Sequence, residues 1–145
     1  MAIIDNTLVF SDHQAITGDE ASDNVIDLHA TGTPINSDTA LTYDPGKGCP
    51  IEILCQVTEA FNNLTSLNVA VQIDTADTFG SPTTIAKSGE IALADLVAGH
   101  RFVFPAMLPE GVVERYVRLY YDTTGSAPST GKIFASIVAA RQTNG

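Results

Sequence analysis

Leu67-Asn68-Val69-Ala70-Val71-Gln72-Ile73-Asp74 alternates strictly, placing Leu67, Val69, Val71 and Ile73 on one face of an extended chain and Asn68, Ala70, Gln72 and Asp74 on the other. One buried and one wetted face is the pattern of an antiparallel sheet; a helical period would scatter the same residues around a cylinder. The pattern returns on both sides of this stretch. Ile51, Ile53, Cys55 and Val57 oppose Glu52, Leu54 and Gln56, and Val117, Leu119 and Tyr121 oppose Tyr116, Arg118 and Tyr120 within Arg115 to Asp122. Leu54 and the two tyrosines make those second faces amphipathic rather than fully wet. Leu8 to Ser11, Asn24 to Leu28, Thr83 to Lys87, Arg101 to Phe104 and Lys132 to Ala140 add further strands, about eight in all. Ser81-Pro82, Gly99, Pro105, Pro109 to Gly111 and Thr123 to Gly131 break the chain between them. Ala92 to Ala98, closed by Gly99, predicts one or two helical turns with Leu93, Leu96 and Val97 inward. The expected architecture is all-β: a jelly-roll-like antiparallel β-sandwich of about eight strands, one domain over 1–145, with an N-terminal arm and a long loop near 31–50.

The composition agrees. A chain of 145 residues, 44% hydrophobic and 17% charged, is sized for one self-sufficient core. It holds no run of the roughly 20 apolar residues that a membrane span needs, and Met1 to Phe10 carries Asp5 but no Lys or Arg, so it does not read as a secretory leader. Seventeen acids against seven bases give a net charge of −10. Residues 1–46 hold eight of those acids (Asp5, Asp12, Asp19, Glu20, Asp23, Asp27, Asp38 and Asp44) and no Lys or Arg. Such a field repels phosphate, so neither nucleic acid nor an anionic membrane is an expected partner; a solvated face or a basic protein partner is.

Catalytic chemistry needs convergent groups, and the sequence offers few. Cys49 and Cys55 flank an extended segment, which puts their Cα atoms about 20 Å apart, too far for a disulfide. No Cys or His stands near them at zinc spacing, so Cys55 reads as a core residue. His13, His29 and His100 are scattered. Gly46-Lys47-Gly48 lacks the glycine spacing and the following Ser or Thr of a phosphate loop, and no Ser sits in a G-x-S-x-G elbow. Asp74-Thr75-Ala76-Asp77-Thr78 has carboxylates for Ca²⁺ but reads better as a hairpin turn bonding its own backbone; Asn63-Leu64-Thr65 is formally a glycosylation acceptor but, with no signal peptide expected, reads as a turn. An enzyme built on Asp74, Asp77 and His29 would need those groups to converge. The expectation is no enzyme, no cofactor and no metal.

Several stretches are familiar in order. Val25-Ile26-Asp27-Leu28 leading to Gly32-Thr33-Pro34, then Gly46-Lys47-Gly48-Cys49-Pro50-Ile51 and Glu59-Ala60-Phe61-Asn62-Asn63-Leu64-Thr65-Ser66-Leu67, are followed by Leu93 to Gly99, Glu114 to Tyr121 and Gly125 to Ile133. Together they resemble the capsid cement proteins of tailed bacteriophages, of the Bordetella-phage type. The resemblance implies a structural jelly-roll protein, made in the bacterial cytoplasm, that oligomerises on the outer capsid surface of the virion. It would clip neighbouring major capsid subunits together there. The implied partners are the major capsid protein and the chain itself, with a homodimer favoured and a homotrimer the alternative. Contacts are then expected from Ile3 and Ile4 in the N-terminal arm, Tyr43 and Lys47 in the long loop, Phe61, Asn62 and Leu64 in a turn, and Arg115, Arg118 and Tyr120 on a strand. The alternative from another class is a carbohydrate- or receptor-binding β-sandwich module, which the absence of Trp weakens.

Overall fold

The computed structural model describes residues 4–42, 52–104 and 114–138, and in it the alternating stretches form two antiparallel sheets that share one core. In chain order the strands are β1 (Ile4–Ala15), β2 (Glu20–Ala21), β3 (Ile26–Asp27), β4 (Thr31–Gly32), β5 (Leu41–Thr42), β6 (Glu52–Glu59), β7 (Leu64–Asp74), β8 (Thr83–Ala92), β9 (Tyr116–Gly125) and β10 (Lys132–Val138). One sheet runs β1-β10-β6; in the other, β9 lies between β7, itself paired to β8, and the short β2 and β3; β4 and β5 form a hairpin of their own.

The far edge of β6 is also paired. The Val57 N–H donates to the His100 carbonyl at 2.9 Å, the Gly99 N–H to the Val57 carbonyl at 2.8 Å and the Phe102 N–H to the Cys55 carbonyl at 3.0 Å, so residues 99–102 act as a fourth strand. Counting that segment, and β2 with β3 as one interrupted strand, gives strand orders 1-8-3-6 and 2-7-4-5 in the two sheets. Those are the orders of a jelly roll, two interleaved Greek keys. The inward row of β7 (Leu67, Val69, Val71, Ile73) meets Ile53, Cys55 and Val57 of β6, Val117, Leu119 and Tyr121 of β9, Ile133 and Ala135 of β10, and Phe10 of β1 in one core. Each fully buried aliphatic side chain there contributes about 1.5–3 kcal/mol. Cys55 is fully buried and free, and desolvation pushes its thiol pKa far up.

Local expectations shift where tertiary bonds compete. Asn24 to Leu28 narrows to β3, because the Asn24 N–H donates to the Phe10 carbonyl and its side-chain amide to the Val9 carbonyl, across to β1. Of Arg101 to Phe104, only Arg101 and Phe102 belong to the edge segment just described. Ala92 to Ala98 shortens to a single 3-10 turn, Leu93–Asp95: the Leu96 carbonyl accepts the Phe61 N–H at 3.1 Å instead of continuing a helix, and Gly99, at φ +95°, turns the chain back toward β6. Leu96 is buried as expected, but Val97 is 53% exposed. The long loop contains the β4–β5 hairpin; its remainder, Cys49 included, lies outside the described residues.

Candidate functional site

The outer row of β9 consists of Tyr116, Arg118 and Tyr120, all half-buried between the core-facing Val117, Leu119 and Tyr121. Register places Asp74, Gln72 and Ala70 of β7 opposite them on one side and Asp27 and Ala21 opposite Tyr116 and Tyr120 on the other. The Arg118 Nε–H donates to Gln72 Oε1 at 2.9 Å. Its Cζ lies 4.2 Å from the centroid of the Phe79 ring and 5.7 Å from that of Tyr120. Partial burial lowers the Arg118 pKa, yet a guanidinium keeps its charge in any protein setting. Among the described residues no carboxylate forms an ion pair with it; Asp74 acts on it only from farther off, and its guanidinium is stacked over the Phe79 ring.

Phe79 reaches this position because the β7–β8 loop is folded by Asp74. One carboxylate oxygen accepts the Ala76 N–H at 3.1 Å and the other the Ser81 N–H at 3.0 Å, holding Asp74 below the usual carboxylate pKa. Phe79 sits at φ +48° with its N–H on the Ala76 carbonyl, and its ring is buried under Arg118. The Asp74 to Thr78 stretch is thus the self-bonded turn expected of it. Arg115 is occupied differently: its Nε and Nη2 donate to Asp27 Oδ1 and Oδ2 at 2.8 and 2.7 Å, and its Cζ lies 5.1 Å from the Tyr116 centroid. The pair lowers the Asp27 pKa and raises that of Arg115, and it fixes β3 beside Tyr116.

Phe61 and Leu64, expected at an interface, are instead core residues, 7% and 2% exposed. They frame a turn in which Asn63 takes φ +64°, and two large apolar side chains beside such a turn are worth more sealing the end of the sandwich than facing water. Asn62 closes the turn against the β9–β10 loop: its Oδ1 accepts the Ser129 and Thr130 N–H groups at 2.8 and 3.0 Å, and its Nδ2 donates to Ser129 Oγ at 2.8 Å. Ile4, 42% exposed, begins β1 opposite Val138; Ile3, Tyr43 and Lys47 lie outside the described residues. Arg118 and Tyr120 therefore come together, Arg115 is drawn to Asp27 and reaches the same row only at Tyr116, Asn62 holds a separate loop, and Phe79 and Gln72 complete a face that sequence reasoning assembled only in part. An aromatic residue just before Gly80-Ser81-Pro82, where loops seldom spend one, was the available signal for Phe79.

The remaining candidates stay apart. His13 lies 3.9 Å from Asp12 on the exposed side of β1, His29 is exposed in a turn capped by Asp27, and His100 packs edge-on against Phe102 at 5.3 Å. Asp77 is exposed, while Asp74 is engaged by its own loop. Among the described residues no group of three or more His, Cys, Asp or Glu could hold a metal ion. What the β9 face can do is offer two half-buried tyrosine rings, Tyr116 and Tyr120, and between them a charged fork backed by the buried Phe79 ring, suited to a partner's carboxylates and backbone carbonyls. Compared with known families, residues 10–137 match Bbp16. No curated protein matches the chain.

Proposed function

The chain belongs to the Bbp16 family, which carries the name of a Bordetella phage protein, and from that premise we propose that it is a structural protein of the virion. It binds as an oligomer to the outer surface of a tailed-phage capsid and cements neighbouring major capsid subunits. The observation that carries the reading is Arg118: a cation stacked on Phe79 and near Tyr120, without a carboxylate partner among the described residues, in a protein of net charge −10. A positive group so preorganised costs little further ordering when a partner docks on it. The excess of acidic charge keeps free copies soluble and apart from DNA.

Cementing works through multiplicity. A copy that touches two subunits, or a two-fold dimer that touches four, turns the second contact into an intramolecular one at about millimolar effective concentration, so modest contacts hold the shell against internal DNA pressure. The test is to mix the protein with expanded, decoration-free capsids and follow co-sedimentation and the disruption temperature of the shell. Saturable binding at a fixed ratio to capsid subunits, with a raised disruption temperature, is expected; Arg118→Ala weakens binding by about ten- to hundredfold while leaving the fold intact. Failure of the wild-type protein to bind its cognate shell, with capture of a glycan in a parallel screen, would reverse the reading in favour of a carbohydrate-binding module.

A further inference from the structure

The β4–β5 hairpin carries a second exposed apolar feature. Ile35 is 93% exposed and Leu41 57%, and with Pro34, Gly32, Thr33 and Thr42 the latter lines a shallow pocket of about 210 Å³. The exposure is built rather than frayed: the Ser37 N–H donates to the Pro34 carbonyl at 3.1 Å, Asn36 takes φ +65°, and the Thr39 N–H donates to Ser37 Oγ at 3.2 Å. This turn holds Ile35 out at the tip. Strands of two residues bury almost nothing, and an isolated hairpin of this size is marginal in water, so the element gains most of its stability from whatever it is seated against.

We propose that this hairpin is an anchor onto a subunit of the shell, placing Ile35 and Leu41 in an apolar depression rimmed by Lys or Arg; the inference rests on the capsid reading above and names the element that grips. Charge selects the occupant. The hairpin lies within residues 1–46, which hold eight acids and no Lys or Arg, and Asp38 is exposed on the hairpin itself. Two copies meeting at this hairpin would set one exposed Asp38 against the other, whereas a basic rim is attracted. Apolar insertion supplies residence time and the exposed Asp38 supplies orientation.

The experiment compares the wild type with Ile35→Ser/Leu41→Ser in co-sedimentation with decoration-free capsids over a range of salt, and in sedimentation velocity without capsids. Because both side chains are exposed, the variant is expected to melt with the wild type. Its binding is expected to weaken by about ten- to hundredfold, while added salt weakens the wild type progressively and the oligomeric state of the free protein is unchanged. Wild-type binding that the double substitution leaves intact overturns the anchor and spares the capsid reading. A changed oligomeric state of the free variant overturns it by assigning the hairpin to a second copy. Absence of wild-type binding removes both together.

Discussion

Gly131 is the position where one added carbon has the most to disturb. It immediately precedes β10 at φ +135°, a region that L side chains rarely adopt, and a Cβ built there would stand 2.5 Å from Cε1 and 2.6 Å from Cγ of Phe61, with Cδ1 nearer still. Phe61 has little room to retreat, since its ring is buried and its N–H is tied to the Leu96 carbonyl. Backbone strain in such a region costs about 1–3 kcal/mol, and overpacking against a fixed ring another ~1–3 kcal/mol. Gly131→Ala should therefore destabilise the fold by about 4 kcal/mol, a large part of the ~5–15 kcal/mol that holds a typical domain. Urea denaturation followed by circular dichroism should show the midpoint falling by about 2 M with an unchanged slope. In a Phe61→Leu background, where the ring is gone, the same substitution should cost only the backbone share, a coupling of ~1–3 kcal/mol. A loss below about 0.5 kcal/mol, or an equal loss in both backgrounds, would refute the placement of Phe61 in the core.

Asn62→Ala removes one donor and two accepted hydrogen bonds between the turn and the β9–β10 loop; a loss of about 2 kcal/mol, or ~5 °C in Tm, is expected by thermal unfolding, with shell binding unchanged once the protein is folded. Asp5, Asp19, Asp27 and Asp74 all have folded pKa values below the ordinary 3.8, so their contribution is fully present above that pH and is lost as pH falls through the folded values; Tm should be flat down to about pH 4 and drop below it, and Asp27→Asn should soften the drop. Tyr121 behaves in the opposite sense: burial raises its pKa well above 10.0, so stability declines as pH rises beyond that value, and its phenolate absorbance should appear only with unfolding. A Tyr121 that ionised in the folded protein would contradict its burial.

How much of this was legible depends on whether a residue's partner is near it in the chain. The alternation of Leu67 to Asp74 announced both its strand and its buried face, because register against a core leaves no freedom to slip. Tyr121 was legible as inward-facing, but Ser11 and Gln14 were not: they are buried polar residues only because the Ser11 hydroxyl meets the Tyr121 hydroxyl at 2.7 Å, 110 positions away, and Gln14 Oε1 at 2.6 Å. Arg115, Arg118 and Tyr120 could be named from one strand, while their complements, Asp27, Phe79 and Gln72, come from other elements and needed the register. Phe61 and Leu64 were misplaced because a turn rich in Asn looks exposed; here the Asn side chain faces another loop and the apolar residues face in. Val97 was misplaced by an assumed helical period that a single 3-10 turn does not keep.

The pairing of β1 with β10 also sets a schedule for making the protein. The Ser136 hydroxyl donates to the Leu8 carbonyl 128 positions back, whereas β7 and β8 are joined by a short loop. On the ribosome the β7–β8 hairpin can close while the chain is still emerging, but β1 must wait until β10 has been made before it finds its neighbour. Until then Phe10 has no complete sheet to cover it, and β6 keeps one bare edge. Messages broken before Lys132 would yield chains with unpaired strands at both places, prone to stick to one another, so only chains that extend through β10 can reach the folded state in quantity.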